Sequence, residues 1–135
     1  MTSLFNKLNL GDHRDILVLN PPLTFEPEIA DLEGVTVHRS TDSISKVTFS
    51  LAFAERQDHL DEMVRSVVKK AEGDAILWFA YPKASSKRYS CDFHRDTGFS
   101  LLESLGFKGV RQVSIDSDWS ALRFRRAQYV GSKSS

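Results

Sequence analysis

The sequence predicts an α/β domain of three layers, in which helices cover both faces of a mainly parallel sheet that ends in an antiparallel hairpin. A short apolar run without alternation, within residues 15–20, is typical of a strand buried on both faces. An apolar stripe at helical spacing over residues 60–71 predicts a long amphipathic helix. Near the C-terminus, two strand-like segments are separated only by residues 116–118, a link so short that the strands must be antiparallel.

The first half of the chain contains three predicted strands and one helix. The first strand, residues 15–20, is closed by two prolines, which cannot donate to a ladder. Residues 25–32 have apolar side chains at helical spacing and Pro27 in the first turn, where its missing N–H is harmless. Residues 35–38 and 46–53 then follow as the second and third strands, the third with clear alternation.

The second half begins with the long helix. Asp58 is the expected N-cap and Gly73 the expected stop, and the acidic first turn and basic last turn both suit the helix dipole. Residues 75–81 form the fourth strand, and a shorter helix over residues 97–105 is expected to be capped by Asp96. The hairpin strands are residues 110–115 and 119–126.

The length and composition indicate one domain. The chain has 135 residues, of which 41% are hydrophobic, and this suits a single core better than two marginal ones. We expect one α/β domain over residues 1–130 and a disordered tail over residues 131–135.

The order of elements resembles the class I methyltransferase fold, a Rossmann-like architecture, with one helix–strand unit missing. In that fold the last strand of the terminal hairpin inserts back into the sheet beside the parallel strands. The resemblance therefore implies the strand order 2-1-3-4-6-5.

The C-terminal half carries a second, more specific resemblance. The segments LWFAYPK and DSDWSALRFRR, within residues 77–126, are similar to a family of small bacterial proteins of unknown function. Its hallmarks are a strand end W-x-x-[AW]-x-P-K and a terminal D-x-x-W-S-A-L-R-F-x-R. This resemblance implies a bacterial cytosolic setting and transfers no catalytic residue. The matching positions are mainly Asp116, Trp119, Ser120, Arg123 and Phe124.

Composition argues against several classes of partner. The formal net charge is zero, whereas a protein that coats nucleic acid needs a basic excess. One cysteine cannot form an internal disulfide, which favours a reducing compartment. The sequence has no apolar run near the roughly 20 residues of a membrane span, and its N-terminus has no apolar core typical of a signal peptide. We expect a cytoplasmic protein that binds neither nucleic acid nor membrane.

The turn after the first strand argues against a standard cofactor. S-adenosylmethionine and dinucleotide sites on this architecture use a glycine-rich turn there, whereas residues 20–25 contain two prolines and no glycine. The second strand ends in His38 and Arg39 instead of the acidic residue that holds ribose hydroxyls. We therefore expect no cofactor. The Asn-Pro-Pro tripeptide at residues 20–22 resembles a methyltransferase motif that holds an amino group, but Leu23 replaces the aromatic residue, which favours a rigid turn.

Metal and thiol chemistry find little support. Cys91 and His94 have the spacing of half a zinc site, but the other three histidines are isolated in the sequence and no second pair exists. The same two residues as nucleophile and base lack an orienting third group. We expect no metal site, and the sequence assigns no catalytic residue.

The loop after the fourth strand is the best candidate for a ligand site. Parallel strands deliver the residues that follow them to one edge of the sheet, where ligands of open α/β sheets bind. Lysine, arginine and hydroxyl groups there suit a phosphate or a carboxylate, and a tyrosine offers a ring for stacking. The alternative is a solvated loop whose lysines only confer solubility. The candidate anion-binding residues are Asn20, Arg56, Tyr81, Lys83, Ser85 and Ser86.

Three functional classes remain open from the sequence. The favoured one is a non-catalytic binding or interaction module, whose partner is a small anionic ligand or a protein. The alternatives are an enzyme acting on a small anionic or nucleotide-like substrate, and a subunit of a larger complex. The trio Asp116, Trp119 and Arg123 is interpreted as structural, with the aspartate as the expected partner of the arginine. The sequence does not give an oligomeric state.

Overall fold

A computed structural model describes residues 3–93 and 97–130. Six strands form one mixed sheet in the order β2-β1-β3-β4-β6-β5, which confirms the α/β methyltransferase-like order expected from the sequence. The strands are β1 (Asp15–Leu19), β2 (Thr36–His38), β3 (Val47–Phe53), β4 (Ala71–Pro82), β5 (Phe107–Ser114) and β6 (Trp119–Arg126). The helices are α1 (Ser3–Lys7), α2 (Glu26–Ala30), α3 (Gln57–Lys70) and α4 (Ser100–Ser104).

Strands β1 to β4 pair in parallel, and β6 inserts antiparallel between β4 and β5. Two apolar cores lie on opposite faces of this sheet, and the alternation of side chains along the strands separates them. One face packs against α3 and α4, with Val64, Val67 and Leu102 buried there. The other packs against α1 and α2, with Phe5 and Ile29 buried. The three expected layers are therefore present.

Helix α3 begins differently from the sequence-based expectation. Asp58 is not its N-cap: Arg56 holds that position without a side-chain cap bond, and the Asp58 carboxylate pairs with the Arg56 guanidinium instead. The carboxylate of Asp92, 35 residues away in sequence, accepts a hydrogen bond of 2.7 Å from the Gln57 N–H. A distant loop thus satisfies one of the free N–H groups of the first helical turn.

The other element boundaries shift by a few residues. Strand β4 starts at Ala71, directly after α3, and Gly73 lies within the strand with a positive φ of 59° instead of ending the helix. Helix α4 is shorter than expected, and the cap expected at Asp96 lies outside the described residues, as does the expected tail over residues 131–135. Among the described residues, no helix is long and apolar enough to cross a bilayer.

In the terminal hairpin, the expected pair of Asp116 and Arg123 does not form. Instead, the Oδ1 of Asp116 accepts hydrogen bonds from the N–H groups of Asp118 (2.8 Å) and Trp119 (2.9 Å). Such local bonding is what a short polar turn residue does best, and it tightens the turn between β5 and β6. Trp119 is buried and its ring packs edge-on against Phe53, which agrees with a structural role for this residue.

Candidate functional site

The carboxyl ends of β1 to β4 lie along one edge of the sheet, which carries the candidate residues. Strand β1 is flanked by β2 and by β3, so the chain order reverses beside it. In open α/β sheets the crevice at such a reversal is the usual ligand site. Two regions of the edge can therefore be compared: the crevice between β1 and β3, and the loop that follows β4.

The crevice is bridged by the chain itself. Asn20, at the end of β1, has a positive φ of 57°, and its side-chain amide donates a hydrogen bond of 3.1 Å to the carbonyl of Phe53 at the end of β3. At the end of β2, Arg39 donates two hydrogen bonds of 2.9 Å to Glu26. The Asn20 amide and the Arg39 guanidinium, which would meet a ligand at this position, are already bound by other groups of the chain.

Arg56 lies in an acidic setting. It follows β3 and binds both oxygens of Asp58, at 2.7 and 3.1 Å. This pairing lowers the pKa of Asp58 and raises that of Arg56. The adjoining hollow, of about 260 Å³, contains three carboxylates and is therefore a poor place for a second anion. It is lined by Glu55, Arg56, Asp58, His59 and Glu62.

A larger groove follows β4. Its volume is about 510 Å³, and it brings together three of the six candidate residues, namely Tyr81, Lys83 and Ser86. Ser85 is exposed on the same loop outside the lining, whereas Asn20 and Arg56 lie elsewhere on the edge. The full lining is Tyr81, Pro82, Lys83, Ala84, Ser86, Tyr89, Ser90, Cys91, Asp92 and Phe93.

The loop of this groove is anchored to the hairpin turn. The backbone N–H of Lys83 donates to the carbonyl of Asp118 at 2.8 Å, and the Ser86 hydroxyl donates to the Asp118 carboxylate at 2.9 Å. The Lys83 ammonium donates to the Ser114 hydroxyl at 2.7 Å. Pro82 precedes this cluster as the last residue of β4 and fixes its own φ. Lys83 is therefore held in place at the mouth of the groove.

Tyr81 is largely occupied by neighbours. Its side chain is only 8% exposed, and its ring packs against Phe93 and Phe99 at centroid distances of 6.3 and 6.0 Å. The Gln112 amide lies 3.1 Å from the Tyr81 hydroxyl, with the amide as donor. The aromatic part of the groove is consequently a packed wall in which the rings support one another.

Cys91 lines the groove as a half-buried free thiol. Burial, more than any other cause, raises the pKa of its thiol, and the thiol donates to the carbonyl of Phe93 at 3.2 Å. A protonated thiol is a weak nucleophile and a weak metal ligand. His94, the other half of the Cys-x-x-His pattern, lies outside the described residues. Within residues 3–93 and 97–130, no three His, Cys, Asp or Glu side chains come together as a metal site.

Sequence reasoning did not assign Asp92 and Asp118 to this region. Both act on backbone or hydroxyl groups more than 30 residues away, Asp92 on Gln57 and Asp118 on Ser86. Neither spacing nor periodicity encodes such pairs. The one available signal was that Asp92 lies in the same loop as Lys83.

Comparison with known proteins supports the fold and goes no further. No protein-family model and no curated protein matches the chain. Among solved structures, a SAM-dependent methyltransferase from Aquifex aeolicus superposes with a TM-score of 0.62 at 11% identity, covering 92% of this chain and 88% of that one. The N-methyltransferase NodS from Bradyrhizobium japonicum gives 0.57 at 14% identity, covering 92% of each chain.

A third similar structure is much larger than this chain. The Haemonchus contortus phosphoethanolamine N-methyltransferase 2, in complex with S-adenosylhomocysteine, gives a TM-score of 0.58 at 9% identity. The match covers 93% of this chain but 38% of the Haemonchus enzyme. At such identities the likeness establishes a methyltransferase-like fold and does not transfer an activity.

Proposed function

We propose that this chain is a non-catalytic binding module on a methyltransferase-like fold, and that it takes a small anionic ligand in the groove after β4. The observation that carries this proposal is the placement of Lys83 at the mouth of that groove, fixed by its backbone bond to Asp118. An ammonium group has three donors, and the bond to Ser114 uses one, so two are available to a carboxylate or phosphate.

Asn20 and Arg56 are not included in this site. The Asn20 amide bridges the crevice to Phe53, and the Arg56 guanidinium is neutralised by Asp58. Ser85 remains a candidate contact, because its exposed hydroxyl lies two residues after Lys83. The hydroxyl of Ser86 already donates to Asp118 and accepts from the Tyr89 N–H, so its role is to shape the loop.

The chemistry of the groove supports a binding role over a catalytic one. Nucleophilic catalysis needs an activated group, and the raised pKa of the Cys91 thiol is the opposite of activation. The Asp92 carboxylate, which could act as a base, is engaged with the first turn of α3. Binding and recognition require neither group to react.

Matched lysine variants test the proposal. Lys83→Ala should weaken binding of an anionic ligand such as adenosine monophosphate by about 1 to 2 kcal/mol, because a charged hydrogen bond is lost. Lys87→Ala removes the same charge from an exposed position four residues later and should have a smaller effect. Calorimetric titration of both variants measures the difference, and equal losses would rule out a fixed Lys83 contact.

A second candidate function is binding of S-adenosylmethionine. It is favoured by one observation: the solved structures with this fold include SAM-dependent methyltransferases. The bridged crevice and its glycine-free turn oppose it, because the backbone there cannot approach a ligand as a glycine-rich turn does. Calorimetry with S-adenosylmethionine should give no binding near micromolar concentration. A micromolar dissociation constant would replace the first proposal with this one.

A further inference from the structure

A second cationic site lies away from the groove, where β5 and β6 pair on the α1 face of the sheet. Arg111 of β5 and Arg123 of β6 are directly opposite each other in the strand register. One terminal nitrogen of each guanidinium lies near the same atom, the side-chain oxygen of Asn9, at 3.1 Å from Arg111 and 3.4 Å from Arg123. We call these two residues the arginine pair.

The shared acceptor is rigidly placed. The indole N–H of Trp78, a fully buried residue of β4, donates to the carbonyl of Leu8 at 2.8 Å and ties the turn after α1 to the sheet. Asn9 follows with a positive φ of 65°, a conformation that asparagine tolerates better than most residues. The backbone N–H of Leu10 then donates to the carbonyl of Phe5. The backbone at Asn9 is therefore fixed, and its side-chain oxygen lies between the two guanidinium groups.

The arginine pair lacks a matching negative charge among the described residues. Its acceptor is a neutral amide, and the Nε of Arg123 is buried with no hydrogen-bond partner in that part of the chain. The nearby carboxylate of Asp74 has both oxygens bound by Arg125. The Lys7 ammonium donates to the carbonyl of Ser114, three residues after Arg111 on the same strand.

This arrangement costs free energy when nothing is bound. Like charges directly opposite each other in neighbouring strands destabilise a sheet. A buried donor without an acceptor adds to that cost. The pKa of Arg123 is lowered, first by burial and then by repulsion from Arg125 and Arg111. The charged form of Arg123 is therefore destabilised by its surroundings.

We propose that the arginine pair binds a phosphate group, which the two guanidinium forks grip together beside Asn9. Each fork presents two or more N–H groups in a plane that matches an oxyanion. A phosphate monoester carries nearly two negative charges and three acceptor oxygens, so it can neutralise both guanidinium groups, whereas a carboxylate carries a single charge. The buried Nε of Arg123 gains an acceptor from a phosphate oxygen.

An added β-strand is a less suitable occupant of this edge. The register between β5 and β6 skips Val110, so that β5 is bulged beside the arginine pair. Bulges and cationic side chains on an edge strand both oppose strand addition. The phosphate is therefore expected to be gripped by side chains and not by a peptide ladder.

The test uses inorganic phosphate as the probe at low ionic strength, with chloride at matched ionic strength as the reference. The Nε–Hε signals of Arg111 and Arg123 should shift on addition of phosphate in a two-dimensional NMR spectrum. Arg111→Gln, at an exposed position, should weaken the phosphate affinity by about tenfold or more, as expected for a lost charged hydrogen bond. Arg65→Gln, an exposed arginine on α3, is the matched control and should leave the affinity unchanged.

A second variant separates phosphate binding from a merely structural role. Asn9→Asp supplies a built-in carboxylate between the forks, so it should raise the melting temperature and abolish the phosphate response. Asn6→Asp adds the same charge at an exposed position on α1 and should do neither. Phosphate affinity that survives both Asn9→Asp and Arg111→Gln would overturn the proposal. Lys83→Ala should leave the arginine shifts intact, which keeps this site distinct from the groove after β4.

Discussion

The crevice between β1 and β3 and the groove after β4 lie on the same edge of one sheet, yet they differ in how completely their cationic and amide groups are bound by the rest of the chain. In the crevice, the Asn20 amide and the Arg56 guanidinium are bound by other groups of the chain. In the groove, Lys83 lines an open volume of about 510 Å³, and its ammonium uses one of its three donors on the Ser114 hydroxyl. The comparison teaches that the position of a site within a fold does not determine whether it is available to a ligand.

Helix α3 links the two regions, so a destabilising substitution in its buried face should cause the largest loss of stability. Val67 is fully buried against the sheet, and Val67→Asp would place an unpaired charge in that core. We expect the free energy of unfolding to fall by several kcal/mol. Urea denaturation measures the loss, with Arg65→Asp as the exposed control two residues earlier. If the Val67 variant were as stable as the control, the position of α3 would be wrong.

Loss of the contact between the groove loop and α3 should reduce stability by an intermediate amount. Asp92→Ala removes the carboxylate that accepts from the Gln57 N–H, and loss of a helix cap costs about 1 kcal/mol. Asp58→Ala is the comparison: it removes an exposed carboxylate that pairs with Arg56 and accepts from the N–H of the adjacent His59, and surface ion pairs contribute little. The denaturant midpoint of the Asp92 variant should therefore be lower than that of the Asp58 variant. A larger loss from the Asp58 variant would restore the sequence-based assignment of the cap.

The bridge across the crevice should have the smallest effect on stability. Asn20→Gly keeps the positive φ, which glycine adopts freely, and removes the hydrogen bond to Phe53. Because Asn20 is exposed, we expect a loss of about 0.5 kcal/mol. Asn20→Ala loses the same bond and adds backbone strain, so it should be less stable than the glycine variant. Thermal melts of the pair distinguish the two contributions.

The architecture was predictable because it depends on local patterns. The unbroken apolar run of β1 and the apolar stripe of α3 are visible in the sequence, and the short link at residues 116–118 requires the hairpin. The resemblance to the methyltransferase fold then implied the strand order, which the structure confirms. Helix α1 was missed because five residues carry too little periodicity.

The site was less predictable because its contacts join distant parts of the chain. The sequence predicted that Tyr81 at the end of β4 and Lys83 and Ser86 in the loop after it lie close together, and all three line the groove. It could not indicate that Asp116 would bond to its own turn, which left Arg123 to meet Asn9, 114 residues away. Side-chain partners of this kind are fixed by packing, and a single sequence records only their types.

Chemical-shift mapping of the backbone amides during titration with adenosine monophosphate distinguishes an open groove after β4 from an open crevice between β1 and β3. The largest changes are expected in the loop at residues 83–93, and Lys83→Ala should reduce them while Lys87→Ala does not. A smaller response at Arg111 and Arg123 is expected from the second phosphate site. Changes concentrated at residues 20–25 and 53–59, with the loop unaffected, would contradict the proposed groove site and identify the crevice as the binding site.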